Sequence, residues 1–375
     1  MDALGIIFAY AEYGNLRELC EERTIASVLF GGKYRLIDFT MSNFVNSEVL
    51  NMVLITKNKY NSLIDHVGLG KEWDLDRKRG GLRILTPFGN EGSEGGAYRG
   101  KTDALACHMR NIKRTIAEYV IMTPSFLIYN MDFNDLMGFH KYVGADISMV
   151  YTKLQNEEEY DRIPIGAPLC IFDENNRLVD VYVKSEEHRG LPANCGMGIF
   201  LMKKSLLEAL VADAMSFGRY DFYMGLLKRQ TQSLRIMGYE YKKHYICLTS
   251  VKEYLQGNLS LLDPKIREQV FEKVVYTKIK DSVPVQYGQE AQVKNSIIAD
   301  GCVIEGTVEN CIISRGVRIG KGAVVKNSVI MEYTNVYPNA RLEYVIVDKD
   351  VIVRNGSDIS GHITFPLVII KRCIV

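Results

Sequence analysis

Short aliphatic runs separated by helix-length amphipathic stretches fill the first two thirds of the chain, and a different rhythm fills the last third. The runs Leu4 to Phe8, Met52 to Thr56, Tyr119 to Met122, Asp146 to Val150 and Met197 to Leu201 are largely continuous rather than alternating. Such runs read as strands covered on both faces. Between them, residues 101–117, 205–215 and 251–262 are predicted helices. The expectation is an α/β domain over residues 1–262 with a mostly parallel, Rossmann-like sheet, whose ligand sits beyond the carboxyl ends of the strands. From Val293 onward, aliphatic residues recur every five or six positions, at Ile298, Ile304, Ile313, Ile319, Val325, Ile330, Val336, Leu342, Val347 and Val353. Gly and Asn fall between them, as corners of a triangular coil require. Residues 291–375 therefore read as a parallel β-helix of about four turns, and residues 263–290, with Pro264 and Pro284, as the connection. Solenoid ends expose strand edges, so a partner surface is expected.

Composition narrows the classes. A chain of 375 residues with 47% hydrophobic and 24% charged residues and a net charge of +1 reads as globular. That balance points away from a nucleic-acid partner, and no apolar run reaches the length of a membrane span. The start lacks a basic leader, and the expected location is cytoplasmic. Eight cysteines are scattered without a Cys-x-x-Cys pair, and six histidines show no metal-ligand spacing. Free thiols are the expectation, and no metal site.

Three ordered motifs carry a resemblance. Phe30-Gly31-Gly32-Lys33-Tyr34-Arg35-Leu36-Ile37-Asp38-Phe39, then Gly70 to Arg77 with Gly80-Gly81, and Ile128 to Phe133 resemble bacterial ADP-glucose pyrophosphorylases. The resemblance covers essentially the whole chain and implies a nucleotidyltransferase domain followed by a left-handed β-helix of hexapeptide repeats. Within the family the chain is most similar to the GlgD-type subunit, the non-catalytic companion of the catalytic one.

That subclass follows from departures. Catalytic members have Ala-Gly-Gly-x-Gly-x-Arg-Leu after the first strand, whose backbone N–H groups and arginine hold the triphosphate. Here the glycine places hold Tyr10, Ala11 and Tyr13, the arginine place holds Asn15, and the family's phosphate-facing lysine corresponds to Ile25. The two aspartates that the family uses for Mg²⁺ correspond to Phe126 and Cys247. No catalytic residue and no bound cofactor is expected in this chain, with Mg²⁺ left to a catalytic partner. Asp132 reads as a strand-end cap or turn residue.

Remnants of a pocket remain as candidates. Lys184 stands at the family's sugar-phosphate lysine, and Gly100 and Asp103 stand in its nucleotide-side segment, altered by Lys101. Lys33, Arg35 and Arg77 are candidates for a sugar-phosphate effector or other anion, against the alternative of a solvated turn at Arg77-Lys78-Arg79. The resemblance implies a regulatory or structural subunit in glycogen biosynthesis, assembling with a catalytic subunit in a hetero-oligomer, as a tetramer. Two alternatives stay open: an active sugar-phosphate nucleotidyltransferase whose rearranged site uses Asp132 and Lys184, and a stand-alone sugar-phosphate sensor.

Overall fold

The strand Ala3–Phe8 is buried at all six positions and pairs in parallel on both sides, with Tyr119–Pro124 and with Asn51–Ile55. These relations come from a computed structural model that describes residues 1–11, 13–87, 98–154, 156–186 and 194–375. Gly81–Leu85 extends the parallel edge beside Asn51–Ile55. On the other side the sheet changes direction. Asn194–Lys203 runs antiparallel to Tyr119–Pro124, to Ile147–Lys153 and to Pro168–Phe172. Leu178–Val183 closes that side and Ile236–Glu240 pairs in parallel with Ile147–Lys153, giving a mixed nine-stranded sheet among the described residues.

One irregularity shapes the site. The ladder of Asn194–Lys203 shifts register between Gly196 and Phe200. Within it Gly198 has φ +71° and a side chain there would begin 3.3 Å from Pro124. A bulge of this kind bends a strand and re-aims its side chains.

The predicted helices form at Lys101–Lys113 and Val251–Ser260, each shorter at its end than predicted, and at Lys204–Ser216, one residue longer at each end. Asp132 accepts from the Asn134 amide at 2.9 Å and caps helix Phe133–Val143.

The last third forms three parallel sheets of five strands each. Stacked positions such as Ile304, Ile319, Val336 and Val353 on one face, and Ile313, Ile330 and Val347 on another, are buried. Corners at Asn295, Asn310 and Asn327 have positive φ. Their amides form a ladder at 2.8 and 3.3 Å, which offsets the left-handed strain. The coil has five turns where about four are predicted from the aliphatic period. Its first rung, Gln286–Tyr287, lies inside the predicted connection, and that rung is exposed, so no aliphatic signal marks it. Helix Pro264–Val270 occupies the same connection. Ile312, Val329, Met331 and Ile346 of the coil share a core with the α/β domain.

Candidate functional site

Immediately after the first strand the chain is filled, not open. Tyr10 is 8% exposed, its ring edge-on to Phe8 at 5.9 Å and tilted against Tyr98 at 6.3 Å. Ala11 follows, half-buried. Thr24 donates its hydroxyl to the Ala9 carbonyl. Gly14 has φ +74° with Thr249 packed against it. The Asn15 amide donates to the Thr249 carbonyl at 2.8 Å, and the Asn15 side chain accepts from the Arg17 amide. Ile25 is core in the turn Ile25–Ser27.

Phe126 and Cys247, which the resemblance aligns with the family's two metal aspartates, meet on one ribbon. Leu127–Ile128 pairs antiparallel with Ile246–Cys247, Cys247 opposite Leu127, and the Leu248 amide donates to the Phe126 carbonyl at 3.1 Å. Phe126 is 1% exposed and meets Tyr13 edge-to-face at 5.2 Å. Burial holds the Cys247 thiol well above its ordinary range, reinforced by Cys195, so it remains a protonated, soft group. A hard cation that takes oxygen ligands does not fit this donor set. Among the described residues no three of His, Cys, Asp or Glu come together as a metal centre.

The pocket remnants have other partners. The Lys184 ammonium donates to the carbonyls of Tyr160 at 2.5 Å and Ile163 at 2.6 Å and lies 4.6 Å from the Tyr160 ring. It is 6% exposed. Instead of reaching a sugar phosphate, it ties down the end of helix Glu157–Arg162. Asp103 is bound by Arg99 through its side chain at 3.1 Å and its amide at 2.9 Å. A side chain at Gly100 would begin 2.3 Å from the Tyr220 carbonyl. The neighbouring Lys101 is buried with its ammonium 4.8 Å from the Phe8 ring and within 6 Å of Phe200, Phe222 and Tyr223, a cation–π cage. Asp132 is committed to its helix cap and to Lys273 at 2.8 Å.

The three effector candidates do not converge through any contact among the described residues. Arg35 donates to the Ser62 carbonyl at 2.6 Å, Arg77 folds back onto Asp74, and Lys33 is exposed beside the Tyr34 ring. What the sequence did not reveal is a charge cluster where the two domains touch. Arg23 and Asp348 pair at 2.6 Å, both nearly fully buried. Glu332 receives Lys280 at 3.1 Å and Lys349 at 2.7 Å. No spacing in sequence links residues more than 300 positions apart, so only the fold exposes the pair.

This cluster makes stability depend on pH. Burial pushes the Glu332 carboxyl up, but Lys349 and Lys280 outweigh it and hold it down from 4.5 to about 2. A depressed folded-state value means that the stabilisation is complete above the unfolded value and lost as pH falls through the folded one. Unfolding free energy is expected to drop by roughly 3 kcal/mol between about pH 5 and pH 2 through this group. Urea denaturation of Glu332→Gln beside the parent across that range checks it; parallel curves would contradict it.

Beside the ribbon lies a cleft of about 900 Å³. Tyr13, the bulged segment Cys195 to Met197, Tyr245 and Cys247 face it. Burial pushes the Cys195 thiol up to about 12, which leaves it unreactive. Its lining carries Lys153 paired with Glu240 at 2.9 Å, Lys243 paired with Glu272 at 2.7 Å, and also Glu159, Arg162, Lys242 and Glu253.

Comparison with known proteins follows the same division of the chain. Residues 6–233 match the nucleotidyl transferase family, and residues 281–362 match the GlmU-like C-terminal hexapeptide family. The glycogen biosynthesis protein GlgD of Bacillus subtilis (strain 168) is 32% identical over 375 residues, covering 99% of this chain and 96% of that protein. GlgD of Geobacillus stearothermophilus is 34% identical, covering 86% of this chain and 82% of that protein. The glucose-1-phosphate adenylyltransferase of Thermosipho africanus (strain TCF52B) is 32% identical, covering 87% and 78%.

Proposed function

The chain belongs to the nucleotidyl transferase family, in the branch of GlgD proteins and glucose-1-phosphate adenylyltransferases, and on that premise we propose that it is a regulatory or structural subunit of glucose-1-phosphate adenylyltransferase. In this reading it contributes little or no chemistry to the conversion of ATP and glucose 1-phosphate into ADP-glucose and diphosphate. The relatives support a role in glycogen biosynthesis.

The observation that carries the inactive role is the ribbon. Phosphoryl-type transfer depends on positioning and on neutralising charge around the reacting phosphates. Phe126 and a protonated Cys247 supply neither, and Tyr10, buried against Phe8 and Tyr98, fills the loop that would cradle phosphate. Asp132 and Lys184, on which a rearranged active site would rely, are engaged with Lys273 and with backbone carbonyls. Mg²⁺ and the chemistry belong to a catalytic homologue, joined with this chain in a hetero-oligomer, as a tetramer. A sugar-phosphate effector acting on the assembly is part of the same proposal.

The test is an assay of ADP-glucose formation by this chain alone, by a catalytic homologue alone, and by the two co-expressed. Background rate for this chain and a severalfold higher rate for the mixture than for the homologue are expected. Turnover by the isolated chain near 1 s⁻¹ or faster would overturn the inactive reading, and a mixture no faster than the homologue would overturn the regulatory one.

A further inference from the structure

The two ends of the coil differ. At the carboxyl end the chain folds back as a cover: the Arg354 amide donates to the Val375 carbonyl at 2.6 Å, and Ile352 bonds to Cys373 at 2.9 Å and to Val375 at 3.0 Å. Val353 and Ile369 beneath it are buried. The amino end has no such cover among the described residues. Its first rung is Gln286–Tyr287, Gln292–Lys294 and Ile297–Ile298, each the outermost strand of its sheet. Tyr287, Val293 and Ile298 are in register with Ile304, Val308 and Ile313, all fully buried, so they hold core positions of the coil. Yet Tyr287 is 58% and Val293 40% exposed. Stacked repeats need terminal units with a polar outer face. This end presents three strand edges around an apolar centre instead.

We propose that this end is the contact between two copies of this chain, stacked end to end about a two-fold axis. Unpaired edges take further strands, and three of them in a triangle are matched by another coil end of the same cross-section. A two-fold axis across the coil sets the strands of the two ends antiparallel, an arrangement that pairs edge to edge, and it covers both apolar centres at once. Charge fits the same occupant. Residues 283–299 carry one acid, Glu290, and one base, Lys294. An end with one of each sign can face its own copy with unlike charges opposed, which an end of a single sign cannot. The contact is only one coil in cross-section, and small interfaces belong to the weak, reversible class. It joins copies of this chain and does not depend on the subunit role.

Sedimentation velocity of the full chain over a roughly hundredfold range of concentration tests this. A reversible equilibrium between monomer and dimer is expected. Val293→Glu and Tyr287→Glu, which set carboxylates against each other at the centre of the contact, are each expected to weaken the dimer at least about tenfold, with the same unfolding transition as the parent. Phe365→Glu, at the most exposed large apolar side chain of the coil, is expected to leave the dimer intact. A parent chain that stays monomeric overturns the inference, as does a dimer that survives both Glu variants of the first rung or dissolves on Phe365→Glu. If the chain alone is monomeric and Val293→Glu instead prevents co-purification with the catalytic homologue, the end takes the homologue's coil and the second copy is the wrong occupant. The co-expression assay reads the subunit role separately. Stimulation of the homologue by a chain that does not dimerise removes this inference alone, and a dimer without stimulation removes the subunit role alone.

Discussion

Asp348→Ala is expected to lower the unfolding free energy by about 3–5 kcal/mol, the cost of leaving one member of a buried ion pair without its partner. Asp348 is the residue of the coil that receives Arg23 of the α/β domain, at 2.6 Å with side-chain exposures of 5% and 3%. Among the described residues the second terminal nitrogen of Arg23 is already buried without a hydrogen-bond partner, so removing the carboxylate leaves both terminal nitrogens without one. Arg23→Ala is expected to cost less, because Asp348 keeps the Lys349 amide at 2.7 Å. The double replacement Arg23→Met with Asp348→Leu should recover most of the loss, since apolar pairs of similar volume often match buried ion pairs. Urea denaturation of the parent and the three variants measures these differences. A double variant no better than Asp348→Ala would show that the charges carry a role in domain docking that packing cannot replace.

The second large effect concerns Phe126, which the resemblance aligns with a metal-binding aspartate of the family. Restoring the family's aspartate by Phe126→Asp is expected to destabilise by about 3–5 kcal/mol, on the scale of Phe-to-small core replacements, with the burial of a charge added. It is also expected to yield no turnover. Phe126 is 1% exposed and packs on Tyr13, and Ile25 and Tyr10 are buried as well. These residues are core, so introducing the family's polar groups one residue at a time removes packing before it builds a site. Phe126→Leu, which keeps the volume nearly constant, should stay within about 1.5 kcal/mol of the parent. Chemical denaturation together with ADP-glucose assay decides it. Measurable turnover in a stably folded Phe126→Asp protein would mean that the defect is local.

Much of this protein is legible before any coordinates are drawn. A five-to-six-residue aliphatic period has one economical solution, a coil that stacks like on like, and positions such as Ile319, Val336 and Val353 do stack. The continuous run Leu4 to Phe8 is a strand covered on both faces because nothing in it tolerates water. The edge strand Gly81–Leu85 and the first rung Gln286–Tyr287 leave weaker traces, the one because the exposed Arg83 interrupts a short run, the other because both of its residues are exposed.

The side chains of the candidate site divide in the same way. Sequence by itself pointed, through the resemblance, to the groups that are replaced, because the side chain of an isoleucine or a phenylalanine offers no donor to phosphate and no ligand to a hard cation in any fold. It also determined the two architectures, because periodicity is a local property of the chain. Tertiary structure alone decided where the surviving charges point. Lys184 turns to backbone carbonyls, Lys101 enters a cage of rings, and Arg23 finds Asp348 across 325 residues. The physical reason is that a charge in water is neutral as to partner, whereas a buried charge must take whichever partner the packing brings within reach.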